Sequence, residues 1–179
     1  MASSFETALL LTCPRALPVI SGAVAGTAEG LLAHVTVLYP FKPSDELDDD
    51  DHRKLGRICG AAAPFVLRGS RTGWFGERVL YVAPDDPAPI LALIRRVTAA
   101  YPELLPYGGE FVEVVPHLTV AMERPIEELR AAEQQVRARL PFEQPVDHVE
   151  LWSGPAIDST EGAQGWQPIR SYAFGSAAD

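Results

Sequence analysis

Two short segments of the chain place a histidine two residues before a threonine, His34-Val-Thr-Val37 and His117-Leu-Thr-Val120. Residues i and i+2 of a β-strand project from the same face, so each segment presents an imidazole beside a hydroxyl. If the two segments meet, one neutral imidazole can accept a proton and one protonated imidazole can donate one, since the pKa of histidine lies near neutrality. The hydroxyls can hold the charged oxygens of a phosphate. The pattern therefore predicts metal-free acid–base chemistry on a phosphate ester by His34, His117, Thr36 and Thr119.

The two segments belong to a longer repeat. A helical pattern follows each of them, and then come a Pro-Phe pair and a Trp-x-Gly triplet in the same order. The matched landmarks are Pro64-Phe65 with Pro141-Phe142, and Trp74-x-Gly76 with Trp152-x-Gly154. A duplicated unit of motif strand, helix, strand and strand explains this order. Two such units related by a pseudo-two-fold axis would bring their motif strands face to face at one cleft.

Structural and metal-binding roles are the alternatives for these histidines. A lone histidine on a strand is usually structural, but two copies at equivalent places of a duplicated chain favour the catalytic interpretation. A zinc site needs more ligands than two histidines, and neither Cys13 nor Cys59 lies near them in sequence. His52 and His148 match no ligand spacing, so we expect solvated or structural roles for both. The sequence predicts no metal and no cofactor.

The elements that position the motifs follow from the spacing of apolar residues. Short apolar runs bounded by turn-forming residues predict strands over residues 5–13, 33–38, 65–74, 78–83, 115–122, 146–152 and 169–174. Helical spacing predicts helices after the acidic run 45–51, after Pro87 and after Pro125, and a short one within 18–32. A calcium loop is excluded for the acidic run, which lacks the mid-loop glycine and the closing glutamate. Residues 153–167 are predicted to form a polar loop.

Composition and charge limit the class of partner. The chain has 179 residues, 47% of them hydrophobic and 22% charged, which suits one domain over 1–179 or two small lobes sharing a core. Its formal net charge is −9, whereas a long nucleic acid usually binds a basic surface. We therefore expect a small phosphorylated substrate or a short RNA end, with no long nucleic-acid track. No apolar stretch is long enough to span a bilayer, so we expect no membrane partner. The oligomeric state stays open, with a monomer favoured.

Cysteine usage and the N-terminal segment indicate the compartment. Cys13 and Cys59 have no metal or redox spacing, and we expect two reduced, buried thiols, with a single disulfide as the alternative. The first thirteen residues lack a basic start, so we interpret them as a strand and not as a signal peptide. The sequence therefore predicts a cytoplasmic protein.

The quoted motifs resemble those of the 2H phosphoesterase superfamily, which includes bacterial proteins described as 2′-5′ RNA ligases or RNA cyclic phosphodiesterases. The resemblance rests on His34-Val-Thr-Val-Leu-Tyr-Pro-Phe41, on Pro116-His-Leu-Thr-Val-Ala121, and on the closing segment 166–175. It implies an α+β fold, bilobal and duplicated, with two antiparallel sheets and flanking helices around a central cleft. It also implies that the two histidines and two threonines are catalytic or phosphate-binding.

The resemblance also suggests what the cleft does. It implies substrates with a 2′,3′-cyclic phosphate or a 2′-5′ linkage, and family analogy favours His117 as base and His34 as acid. We expect a metal-independent phosphodiesterase that opens 2′,3′-cyclic phosphates. The alternatives are a nucleotide- or RNA-end-binding module without turnover and a 2′-5′ RNA ligase that uses no ATP, since the chain has no Walker-type loop. The physiological substrate stays open.

Four further residues near the motifs are candidate substrate contacts. Tyr39 and Phe41 could stack on a base, with a core role as the alternative. Lys42 and Arg124 could contact phosphate, with an ordinary surface charge as the alternative. Several family members carry arginine directly after the second motif, whereas here Met122 and Glu123 precede Arg124.

Overall fold

The computed structural model describes residues 5–23, 33–110, 113–155 and 165–175. Its elements in chain order are β1 (Phe5–Thr12), α1 (Leu17–Ile20), β2 (His34–Leu38), α2 (Asp49–Gly60), β3 (Phe65–Phe75), β4 (Val79–Pro84), α3 (Ala88–Ala100), β5 (Leu118–Met122), α4 (Ile126–Arg137), β6 (Phe142–Val146), β7 (His148–Pro155) and β8 (Gln167–Ala173). Short 3-10 turns cover Pro14–Ala16 and Pro106–Gly109. The predicted α+β class, with an antiparallel sheet and helices, is confirmed.

The strands form one sheet in the order β6-β3-β4-β5-β2-β1-β7-β8, with antiparallel neighbours throughout. The structure therefore differs from the predicted pair of sheets. The two motif strands, β2 and β5, pair through Val35 and Leu118 and join what would otherwise be two sheets with exposed edges. We call β2, β1, β7 and β8 the first half-sheet, and β5, β4, β3 and β6 the second half-sheet.

Both motif strands carry the same irregularity. Thr36 lies opposite Leu10 of β1, and Thr119 lies opposite Tyr81 of β4, and in each case the register shifts at the next pair. One additional residue of the motif strand is accommodated there, as in a β-bulge. The bulge turns two successive residues toward the core, Val37 with Leu38 in β2 and Val120 with Ala121 in β5.

The helices cover one face of the sheet. Alternate strand residues share a single buried cluster with residues of α2, α3 and α4, including Leu9, Val35, Leu118, Leu55, Ile90 and Leu129. Helix α2 begins with a capping box between Asp48 and Asp51, whose carboxylates suit the positive end of the helix. The predicted helix after the acidic run is therefore present. The intervening strand residues project from the opposite face, which we call the site face.

Strand β6 is the element that the sequence pattern did not predict. Its five residues include Pro145, which interrupts the expected strand signal, and β6 accordingly forms one edge of the sheet against β3. Strand β7 extends to Pro155, into the segment predicted as a loop. Residues 156–164 of that loop, and 24–32 of the short helix predicted within 18–32, lie outside the described residues.

Two further observations concern the core and the helices. Cys13 and Cys59 are free and buried, and burial raises the pKa of each thiol to about 12. Both thiols are therefore protonated at neutral pH. Within the described part of the chain, no helix combines the length and apolar character needed to cross a membrane.

Candidate active site

The four motif side chains meet on the site face where β2 and β5 pair. Val35 and Leu118 lie directly opposite each other and are fully buried on the helix side. Continuing this antiparallel register by one residue in each direction, to His117 just before β5, would set His34 opposite Thr119 and Thr36 opposite His117. Directly opposed Cβ atoms are about 4.5–5.5 Å apart and diagonal ones about 7–8 Å. The two histidines therefore occupy one diagonal of a small rectangle and the two threonines the other.

The exposure of these side chains suits ligand binding. His34, Thr36, His117 and Thr119 are all half-buried, whereas their sequence neighbours on the helix side are buried. The neighbours hold the strands in the core, and the motif side chains keep a solvent-facing surface. The sequence alternation thus separates anchoring residues from residues that can meet a substrate.

The ring of His117 has a defined orientation. Its Nδ1 atom lies 2.7 Å from the carbonyl oxygen of Val115. A carbonyl oxygen only accepts hydrogen bonds, so Nδ1 carries the proton and donates it. In the neutral ring, Nε2 is consequently the basic nitrogen. Phe75 and Tyr81 lie edge-on to this ring, with centroids at 4.8 and 5.5 Å.

The environment of His117 also favours its neutral form. Burial lowers the pKa of this imidazole below its usual value of 6.5, and the hydrogen bond with Val115 opposes that shift only in part. The aromatic rings of Phe75 and Tyr81 exclude water from one side of the imidazole. His117 is therefore an unprotonated imidazole at neutral pH, as a general base must be.

Two aromatic side chains stack against each other on the site face of the second half-sheet. Phe75 and Tyr81 stack with ring centroids 4.4 Å apart and an interplanar angle of 28°. Gly73 lies opposite Tyr81 in the neighbouring strand, and a Cβ atom at Gly73 would lie 2.5 Å from the Tyr81 ring. The tyrosine ring can lie against β3 only because position 73 has no side chain.

The first half-sheet is different on the same face. A small cluster of Ala8, Leu10, Trp152 and Trp166 is packed there, with Tyr39 against it. Two carboxylates flank this cluster, since Glu6 accepts a hydrogen bond from the Tyr39 hydroxyl and Glu150 accepts one from Trp152 Nε1 at 2.8 Å. His148 Nε2 lies 3.5 Å from Glu150. This half of the face is therefore unfavourable for additional phosphates.

A cation lies on the second half-sheet instead. Arg71 pairs with Ala83 of β4, and Ala83 follows the residue that pairs with Leu118. Arg71 and His117 therefore share one row across the sheet. Two strand spacings, about 10 Å in all, separate their backbones. Arg71 is exposed and makes no ion pair within the described ranges, whereas the nearby Arg68 is paired with Asp85 and Glu143.

Two of the weaker sequence candidates have structural partners. Phe41 is 4% exposed and packs edge-on against Tyr101, with centroids 5.0 Å apart. Lys42 donates to both carboxylate oxygens of Asp51 at 2.8 Å. These contacts anchor the segment after β2 to α2 and to the residue that follows α3. They place Phe41 in the core and direct the Lys42 ammonium group to an ion pair.

The two other weaker candidates lie apart from each other. Tyr39 is half-buried on the site face, with its ring edge-on to Trp166 at 6.2 Å. Arg124 follows the far end of β5, where Met122 already lies three residue steps, or about 10 Å, beyond Thr119. Tyr39 is therefore the one of the four weaker candidates that packs against the apolar cluster of the site face.

Sequence reasoning missed a tyrosine that touches the site. Tyr107 lies in the turn between α3 and β5, and its hydroxyl is hydrogen-bonded with the side chain of Thr36. A hint was available in the segment Pro106-Tyr-Gly-Gly109, where an aromatic residue stands in a sharp turn. The sequence also contains no sign of the roles of Phe75, Tyr81 and Arg71, because it does not show that β3 and β4 lie beside the motif strand β5.

Other chemically capable groups lie away from the motifs. His52 belongs to α2, on the helix side, where its Nδ1 lies 2.7 Å from the Tyr172 hydroxyl. A cavity of about 250 Å³ between α4 and the β3–β4 turn, lined by Trp74, Gly76, Glu77, Ile126, Arg130 and Glu133, contains none of the motif residues. Among residues 5–23, 33–110, 113–155 and 165–175, no three His, Cys, Asp or Glu side chains are grouped to hold a metal ion.

Comparison with known proteins finds one matching family and several structures with a similar fold. A family model described as the 2′-5′ RNA ligase superfamily matches residues 25–156. The crystal structure of TT0787 from Thermus thermophilus is similar with a TM-score of 0.67 at 18% identity, covering 97% of this chain and 100% of that one. E. coli LigT complexed with 3′-AMP is similar with a TM-score of 0.58 at 15% identity, covering 94% and 97%. No curated protein sequence matches the chain.

Proposed function

The chain belongs to the 2′-5′ RNA ligase superfamily, and on that premise we propose that it is a metal-independent phosphodiesterase that opens 2′,3′-cyclic phosphates of nucleotides or short RNA ends. Membership assigns the chain a phosphoesterase-type or 2′-5′ ligase-type function. The observation that carries the finer proposal is the antiparallel register of β2 and β5. It supports the proposal because the pairing of Val35 with Leu118, continued by one residue in each direction, would bring two histidines to one diagonal and two threonines to the other.

Each histidine has a distinct role in the proposed reaction. His117 Nε2 takes a proton from a water molecule, whose oxygen attacks phosphorus. The bond between phosphorus and one ribose oxygen breaks, and protonated His34 donates a proton to that leaving oxygen. The product is a phosphate monoester on a ribose with one free hydroxyl. The Nδ1 hydrogen bond and the lowered pKa of His117 support its role as the base.

The threonines bind the phosphate in this proposal. Thr36 and Thr119 donate hydrogen bonds to the non-bridging oxygens, on which negative charge is concentrated when water adds to phosphorus. Hydroxyls that are already held by rigid strands need little rearrangement during the reaction. Their half-buried positions beside the histidines support this role.

The charges around the motifs support a small substrate. Glu6 and Glu150 occupy the site face of the first half-sheet, and the whole chain has a net charge of −9. Arg71 on the second half-sheet can contact one further phosphate. E. coli LigT, which shares the fold, has been crystallised with 3′-AMP, a ligand of that size. We therefore propose that the nucleotide lies over the second half-sheet, beside Phe75 and Tyr81.

The direct test of this function is turnover of a nucleoside 2′,3′-cyclic phosphate, followed by separation of the monoester product. We expect turnover that persists after dialysis against a chelator, since every proposed proton transfer uses a side chain. Activity that is lost with chelator and restored by zinc would contradict the metal-free mechanism. Tight binding of the cyclic nucleotide without turnover would favour the binding-module alternative. Joining of RNA ends without ATP would favour the ligase alternative.

A second test concerns the size of the substrate. We expect a 5′-phosphate on the cyclic nucleotide to raise affinity about tenfold, as one charge-assisted hydrogen bond with Arg71 would. Further nucleotides should add little, and Arg71→Gln should remove the effect of the 5′-phosphate. Arg57→Gln is the matched control, because Arg57 is an exposed arginine of α2 on the helix side. Affinity that climbs with every added nucleotide and collapses with salt would instead indicate an extended RNA surface.

A further inference from the structure

Tyr107 has an unusual backbone conformation for a residue with a side chain. Its φ and ψ angles are 52° and 36°, in the left-handed region that normally favours glycine. Gly108 and Gly109 follow it, with φ angles of 64° and 81°. Glycine at position 107 would adopt this backbone conformation at a lower conformational energy, because it has no Cβ atom. An outlier of this kind is a reason to ask what the side chain does.

Both ends of Tyr107 are tied to the motif strand β2 and the residues just after it. The backbone N–H of Tyr107 donates to the carbonyl oxygen of Tyr39 at 2.6 Å. The hydroxyl of Tyr107 is hydrogen-bonded with Thr36, which lies three residues before Tyr39. The turn between α3 and β5 therefore crosses the motif segment and brings the phenol to the candidate site. By the register of β2 and β5, Thr36 is also the residue opposite His117.

We infer that Tyr107 is a positioning residue, whose hydroxyl donates to the Thr36 oxygen and thereby directs the Thr36 proton toward the substrate phosphate. The inference rests on the proposed function, because it assigns a role to the phosphate-binding threonine of that site. It names a residue that neither the motif nor its neighbouring sequence specifies.

The chemistry of the two hydroxyls explains the direction of the hydrogen bond. A threonine hydroxyl has one proton and rotates freely, so an isolated one points at the phosphate only part of the time. The phenol is the stronger acid and is the better donor of the pair. Once the Thr36 oxygen accepts a hydrogen bond from the phenol, the hydroxyl proton of Thr36 remains available to donate to a phosphate oxygen. Burial raises the pKa of Tyr107, and the hydrogen bond with Thr36 opposes that shift only in part, so the phenol is protonated at neutral pH and can donate.

The second motif threonine, Thr119, lies beside a different tyrosine, and the contacts of that tyrosine differ from those of Tyr107. Thr119 lies opposite Tyr81, but the Tyr81 hydroxyl lies over Gly73 of β3, where a Cβ atom would be 2.7 Å from it. The Tyr81 ring also stacks on Phe75. Orientation by a phenol therefore applies to Thr36 and not to Thr119.

A double-mutant cycle tests this role. We expect Tyr107→Phe to lower kcat about three- to tenfold with little change in KM, the loss of one oriented hydrogen bond. In the Thr36→Val background, Tyr107→Phe should cause no further loss, because the hydroxyl that it orients is absent. Tyr101→Phe is the control for removal of a buried phenol, since Tyr101 lies in the core with its hydroxyl toward the Asp51 carbonyl.

The outcomes separate this inference from the proposed function. Equal losses in both backgrounds, or no loss in Tyr107→Phe with an unchanged melting temperature, would overturn the positioning role. If the wild type does not turn over the cyclic nucleotide, binding of inorganic phosphate is measured for the same four proteins. Non-additive phosphate affinities would then support the Tyr107–Thr36 coupling although the proposed reaction fails. Additive affinities, or a wild type that binds no phosphate, would reject the coupling.

Discussion

Replacing His117 by alanine is expected to lower kcat for a 2′,3′-cyclic nucleotide by about 10²- to 10⁴-fold, the usual contribution of one general acid or base. His34→Ala should have an effect of the same size, because the two rings act in the same displacement. Both rings are half-buried at the surface of the site, so the fold should persist in each variant. The measurement is steady-state turnover together with the melting temperature.

The pH profile distinguishes the roles of the two histidines. The base must be unprotonated, and burial lowers the pKa of His117, so we expect the acidic limb of the wild-type profile below the ordinary histidine value of 6.5. This limb should vanish from the residual activity of His117→Ala, whereas the alkaline limb should vanish from that of His34→Ala. An acidic limb that survives in His117→Ala would contradict the assignment of the base.

A histidine outside the site provides the control for these variants. His52 is also a half-buried histidine with a hydrogen-bonded Nδ1, but it lies on α2 at the helix side of the sheet. His52→Ala should leave kcat and the shape of the pH profile unchanged. Loss of activity in His52→Ala without loss of stability would mean that the reaction uses a different face of the molecule.

Replacing Thr36 or Thr119 by valine is expected to lower kcat by about 10²- to 10³-fold, as removal of one oxyanion donor does in other enzymes. Valine keeps the shape of the side chain and suits a strand, so the loss reports the missing hydroxyl. Serine at either position should restore most of the activity, because it returns the donor. The measurement is kcat and KM for the same cyclic nucleotide.

A threonine of a helix is the matched control for the loss of a hydroxyl. Thr98 of α3 bonds the Ile94 carbonyl through its own side chain, and Thr98→Val should leave turnover unchanged. If Thr36→Val and Thr98→Val prove equally active, then Thr36 does not bind the phosphate. A fall in affinity at unchanged kcat would indicate that the hydroxyl binds substrate and transition state equally.

Local sequence patterns determined several features of the fold. Alternation along 34–37 and 117–120 identified which residues anchor the strands and which are turned away from the core. The carboxylates of the acidic run and the apolar spacing after it identified helix α2 and its start. The superfamily, inferred from the two motifs and the segments beside them, is confirmed. These features depend on residues close together in the chain, whose geometry is fixed by backbone periodicity.

Interactions between distant segments were decided by the tertiary structure. The pairing of Val35 with Leu118 joins the predicted two sheets into one and sets His34 opposite Thr119. A register that differed by one residue would turn the motif side chains of one strand into the core. Packing of the buried faces against the helices selects the observed register, and no local pattern contains that information.

The surroundings of the motifs were also decided at the tertiary level. The sequence offers Lys42 as a candidate phosphate contact, but its ammonium group pairs with Asp51, which helix α2 brings to it. Arg71 reaches the row of His117 because β3 and β4 lie beside β5, and Tyr107 reaches Thr36 because the turn after α3 crosses β2. The sequence by itself determined which side chains could do the chemistry. The pairing of strands far apart in the chain decided which other side chains surround them, because electrostatic and hydrogen-bonding partners depend on distance in space.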